Sequence, residues 1–170
     1  MQKNTPVVIS ALDISIVFLF AYVVMPVIHE CGHLVMAYFL QIPIVSYNLL
    51  AFSAYPPYFI NPNVQIAPTA ESYKLVLFFL GGLLISLLVF VPHARYEHYS
   101  RHKEDYIYAL GFVAMSYVSA MNDLQTIFYI LFGQIILGTI VAIIPCAIIL
   151  RYIILDVCVG GSCRIVFKEK

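Results

Sequence analysis

Residues 25–34 read MPVIHECGHL, and His29, Glu30 and His33 fit the pattern His-Glu-x-x-His. On a helix, side chains four residues apart lie on one face. Two imidazoles at that spacing can both reach one zinc ion. Glu30 stands about 100° round the helix from His29, where it can reach a water on the metal and take its proton. Gly32 keeps one flank of the helix thin, so that a substrate or another helix can approach. Pro26 frees a backbone carbonyl one turn upstream and is expected to kink the helix near the site. The alternative is a structural role, with three polar side chains hydrogen-bonded to neighbouring helices.

The surroundings of the motif favour the metal. A charged residue in a spanning helix costs about 2.5–3.5 kcal/mol on insertion scales, and such residues usually mark function. Here they interrupt an apolar run. Across its 170 residues the chain is 62% hydrophobic and 11% charged, with mean hydropathy +0.93. An ordinary soluble domain is about half apolar and about a quarter charged, so a water-soluble fold of this length is excluded on composition and lipid is the expected solvent. The formal net charge of zero gives no sign of a nucleic-acid partner. Thirteen tyrosines and 12 phenylalanines can form the aromatic belt at the membrane surface in the absence of tryptophan.

Four apolar stretches are expected to position the motif. They cover about residues 14–40, 73–91, 106–121 and 126–155, the first carrying the motif; a spanning helix needs about 20 residues. The amino terminus lacks a small-residue cleavage site, so the first stretch is expected to be retained rather than removed as a signal peptide. Between the first two lies the 41–72 segment, rich in Pro, Asn and Tyr. Its pieces IPIVSYNLLAF and YFINPNVQIA have β-type composition and are bounded by Pro and Asn. They predict a surface hairpin or re-entrant loop, since unpaired backbone cannot face lipid. The whole of residues 1–170, with a tail at 156–170, reads as one domain: an all-α, multi-pass integral membrane protein with about four transmembrane helices and a short β-like membrane-associated segment after the first. Lys and Arg cluster at the two termini and in the 93–105 loop, and this bias places them in the cytoplasm of a cell-membrane protein. The 41–72 segment and a turn at 122–125 would then face outward.

Two histidines leave zinc short of a third protein ligand. Depth selects it. Entering from Ile14, His29 and His33 lie about 22 and about 28 Å along the first helix, and entering from Tyr106, Asp123 lies about 26 Å along the third. Ser116 and Ser119 fall on one broad face with Asp123, a polar stripe that suits a bundle interior. Asp123 is therefore the expected ligand and Glu71, at the start of the second helix, its rival. Glu97, Glu104, Asp105 and the histidines at 93, 98 and 102 lie near the opposite surface.

HECGH within a membrane helix, followed by a β-like segment and two more helices, resembles the site-2 protease group of intramembrane zinc metalloproteases over about residues 14–130. The resemblance implies a Zn2+ cofactor and an aspartate on a later helix that completes the site, which matches Asp123 in SAMNDLQ. That family's second core helix carries a Gly-Pro-x-x-Asn-like element; Gly81, Gly82 and Ser86 in FLGGLLISLLV stand at a comparable place, without its Pro and Asn. The usual Leu-Asp-Gly is Asn-Asp-Leu here, and Asn122 is the candidate oxyanion helper. The family's metal site lies nearer the cytoplasm, opposite to the side that the Lys/Arg bias gives.

The activity so implied is hydrolysis of peptide bonds in or near transmembrane segments, with Glu30 as general base and membrane-protein or membrane-associated peptides as substrates. An extended stretch of the 41–72 segment is expected to bind the unwound substrate by strand addition. The competing classes are a non-proteolytic metal-binding pseudoprotease and a small transporter whose His and Asp residues line a path for metal ions or protons. The remaining features read as structural: Gln134 as a polar contact within the fourth helix, Gly133 and Gly138 as packing sites, Cys31 as a small filler and Cys146 as inert. Cys158 and Cys163 flank a Gly-Gly-Ser turn in the tail.

Overall fold

The computed structural model of the chain describes residues 11–50, 62–68, 71–99 and 103–155. The expected hairpin at Cys158 and Cys163, and His102, lie outside the described residues. Helix α1 (Ala11–Leu19) runs through a π-helical turn (Phe20–Val24) into α2 (Met25–Phe39). The π turn stands where a kink was expected. Pro26 has no N–H and its ring presses on the carbonyl four residues back, and the chain widens just before it: Met25 N–H reaches back to Phe20 O, an i to i−5 bond.

Helix α2 stops in a Schellman-type turn. Gln41 adopts a left-handed φ of 53°, Ile42 N–H donates to Ala37 O at 2.9 Å, and Ile42 is buried with Ala37 and Phe78. Pro43 then forbids further helix. Strands β1 (Ile44–Asn48) and β2 (Asn63–Ile66) pair antiparallel, with a register shift between Ile44 and Ser46. Ala67 N–H closes the ladder on Pro43 O at 2.9 Å. The expected hairpin is present, and every residue of β1 is exposed.

The remaining helices are α3 (Ser72–Tyr99), α4 (Lys103–Ser119), α5 (Met121–Phe132) and α6 (Ile135–Ile154). Their boundaries correct three expectations. Helix α3 does not end at residue 91: it continues through Pro92, so most of the expected 93–105 loop is helical. The expected turn at 122–125 is helical, because the chain bends one step earlier at Ala120 (φ −83°, ψ 5°). The long helix expected over 126–155 is two helices. Gly133 adopts φ 67° with no atom near its missing Cβ, so it serves the turn and not packing. Gln134, expected inside the helix, is its extended N-cap. Gly138 does serve packing, against the Gln125 backbone.

Among the described residues, three helices are long and apolar enough to cross a membrane: Ser15–Phe39, Ser72–Tyr99 and Ile135–Ile154. Helix α4, at 17 residues, falls short of the roughly 20 that a span needs. Helix α6 turns Ile136, Ile143, Ile144 and Ile148 outward, a surface suited to lipid rather than water.

Helices α2 and α3 form the tightest pair, running antiparallel. Gly32 lies on Gly81 and Gly82, and a Cβ at Gly32 would come within 2.8 Å of Gly82 Cα. Met25 and Phe90 share a buried cluster two turns from this crossing with Ala94, Ala109, Phe112 and Val113. A second cluster, built on Leu83, Ala120, Leu124, Ile127 and Ala142, ties α5 and α6 to α3.

Candidate metal centre

His29 and His33 are 6% and 4% exposed. Their burial follows from the glycine seam. Gly82 lies beneath the His29 ring, where a Cβ would stand 2.6 Å from Nε2 and 2.7 Å from Nδ1. Helix α3 also fixes His33: its Nδ1 donates to Phe78 O at 2.8 Å, and its ring stacks on the Phe78 ring at a centroid distance of 4.8 Å.

Asp123, in the first turn of α5, is brought to the same point. Its Oδ2 lies 2.7 Å from His29 Nε2 and 3.1 Å from His33 Nε2, and the two Nε2 atoms are 3.2 Å apart. The Asp123 side chain is only 15% exposed. The structure thus joins the motif to the aspartate selected by depth, but from α5 rather than from the third predicted helix. Ser116 does not share that role: it sits on α4 and its Oγ donates to Phe112 O at 3.0 Å.

The donor set fits a divalent cation. A backbone carbonyl only accepts, so Phe78 O takes the His33 Nδ1 proton and neutral His33 presents a lone pair at Nε2. Such a lone pair is what a metal ligand requires, and the Asp123 carboxylate stands 3.1 Å from it. Ligands on one tetrahedral zinc at about 2.0–2.1 Å lie roughly 3.3 Å apart, close to the 3.1 and 3.2 Å separations here, while the 2.7 Å between His29 and Asp123 is a hydrogen-bond distance.

Glu30 flanks this triangle, with a carboxylate oxygen within 4.8 Å of the histidine ligand atoms. The β1–β2 pair packs nearby, with Val64 and Ile66 against the Ala37, Ile42 and Phe78 cluster. Glu71 is not part of it. Its carboxylate is exposed and bound to Lys74 at 2.9 Å, and the Lys74 ammonium and Tyr73 hydroxyl hold it below the usual carboxylate range. Asn122 is exposed on α5, and its backbone carbonyl accepts from Thr126 Oγ1 at 2.9 Å.

Two other sequence features resolve as packing. His93 lies 4.0 Å from Glu97, and His98 packs on Tyr99 and Tyr106. Cys31 is a free, partly buried thiol, while Cys146 Sγ donates to Ala114 O and Ala142 O, each at 3.2 Å.

Missing from the sequence reading was the Phe78 carbonyl, a backbone group that carries no residue-type signal. Comparison with known proteins finds no matching family model, curated protein or solved structure.

Proposed function

We propose that this chain is a multi-pass membrane zinc metallopeptidase that hydrolyses peptide bonds in or beside the membrane-spanning segments of other proteins. One observation carries the reading: His29 Nε2, His33 Nε2 and Asp123 Oδ2, from helices far apart in sequence, converge within 3.2 Å beside the Glu30 carboxylate.

His29, His33 and Asp123 would hold a zinc ion, which would supply a Lewis acid for the scissile carbonyl and lower the pKa of a bound water towards neutrality. The protein's own part begins with the three ligands, whose orientation is set by Phe78 O and by the close approach of Gly82. Glu30 accepts the proton of the attacking water at its carboxylate and returns it to the leaving amine nitrogen. His29 and His33 are buried while Glu30 is partly exposed, so substrate and water enter on the Glu30 side. There the β1–β2 ribbon supports an extended substrate, since a helical substrate must unwind before its peptide bond is accessible.

The test separates this reading from a pseudoprotease and from a transporter. Purified wild-type protein is assayed for zinc and for cleavage of a transmembrane peptide reconstituted in vesicles, beside Glu30→Gln. A peptidase keeps its zinc and loses cleavage in the variant. Cleavage undiminished in Glu30→Gln, or wild-type protein that takes up no zinc, defeats the proposal. Zinc flux into sealed vesicles without peptide cleavage assigns the site to transport.

A further inference from the structure

Two serines in the helix bundle are fully buried, Ser86 and Ser116. They are not equivalent. Ser116 directs its hydroxyl to its own helix, at Phe112 O. Ser86 Oγ has no hydrogen-bond partner among the described residues, and the other buried side-chain atom in that condition is His29 Nδ1.

The packing register of α2 on α3 places these two atoms on one seam. His33 meets Phe78, Gly32 meets Gly81, His29 lies on Gly82, and Met25 shares a cluster with Phe90. Along the α3 face, Ser86 falls one turn beyond Gly82 and one turn before Phe90. On α2 the same interval lies between His29 and Met25. A buried hydroxyl that does not bond its own helix therefore lies one turn along α3 from Gly82, the residue against which the His29 ring rests.

We propose that Ser86 is the positioning partner of His29, joined to Nδ1 through one bridging water. This rests on reading His29, His33 and Asp123 as metal ligands. A metal-bound histidine generally donates its second N–H to an oxygen, which fixes the tautomer and the plane of the ring. His33 has that oxygen in Phe78 O, and His29 receives its equivalent from Ser86. A hydroxyl also suits both states of the site, because it can donate or accept by rotation. With the metal bound, Nδ1 carries a proton and the serine end accepts. Without it, Nε2–H donates to Asp123, Nδ1 is a lone pair, and the serine end donates. A buried water needs polar partners on both sides, and Nδ1 and Oγ provide them. The opposing explanation is steric: Ser86 continues a seam of small residues, with Gly32, Gly81 and Gly82.

Ser86→Ala separates the two, since it preserves the small size and removes only the oxygen. Zinc affinity of the detergent-purified full chain is measured by competition with a chromophoric chelator, with Ser116→Ala as control. The expected result is a zinc dissociation constant raised about 10- to 100-fold in Ser86→Ala and unchanged in Ser116→Ala. Should Ser86→Ala fail to fold, Ser86→Cys takes its place, with a weaker acceptor of similar size and an expected loss of about threefold or more. Wild-type affinity in Ser86→Ala, or in the folded cysteine variant, overturns the role of Ser86 and leaves the metal site standing. A wild-type protein that binds no zinc overturns both.

Discussion

Asp123 Oδ2 lies 2.7 Å from His29 Nε2, although 94 residues separate them in the chain. The contact joins the first turn of α5 to the middle of α2, with His33 Nε2 3.1 Å from the same oxygen. A carboxylate so placed is expensive to desolvate unless it is compensated, and the two imidazole nitrogens at 2.7 and 3.1 Å provide compensation.

Replacing Asp123 by Ala is expected to remove zinc from the purified protein, with affinity lower by at least about 100-fold, a loss beyond that of an outer-shell partner. Glu71→Ala is expected to leave zinc content unchanged, because Glu71 is engaged with Lys74 at the surface. Elemental analysis of both variants beside wild type decides between the two carboxylates. Full zinc occupancy in Asp123→Ala would remove this aspartate from the ligand set.

Gly82→Ala tests the seam. The added Cβ would stand 2.6 Å from His29 Nε2, so either the ring or the helix must move. Overpacking of this kind costs about 1–3 kcal/mol, and here the displaced group is a ligand. The expected outcome is reduced thermal stability together with weakened zinc binding. Gly111→Ala is the contrast: no atom lies within 4 Å of its Cβ position, and the substitution is expected to be neutral or to stabilise α4 by up to about 1 kcal/mol. Equal zinc affinity in the two variants contradicts the account of Gly82.

Much of this site was legible because it is written in residue types at fixed spacing. His29 and His33 at i and i+4 share a helix face whatever surrounds them, and Asp123 stood at their depth. The β segment was legible from its Pro and Asn boundaries. The helix breaks were less so. Ala120 interrupts the α4–α5 path with a residue that ordinarily favours helix, and its burial in the α3–α5–α6 cluster is a tertiary property. Pro92, a helix breaker on paper, is carried within α3 at the loss of one backbone bond to Leu88. Gly133 was recognised as a small residue, but packing and left-handed φ are alternative uses of glycine that sequence alone does not distinguish.

Helix α6 tests the membrane assignment without reference to the metal. Ile144 lies near its middle, 52% exposed in the folded chain, and lipid is the proposed neighbour of that surface. On insertion scales an isoleucine at a helix centre contributes about −0.6 to −0.3 kcal/mol and a lysine about +2.5 to +3.5. Ile144→Lys is therefore expected to make membrane insertion of an α6 reporter segment less favourable by about 3 kcal/mol, a shift measured by glycosylation mapping in microsomes. If α6 carrying Ile144→Lys inserts as efficiently as wild type, this face does not meet the hydrocarbon core and the span must be reassigned.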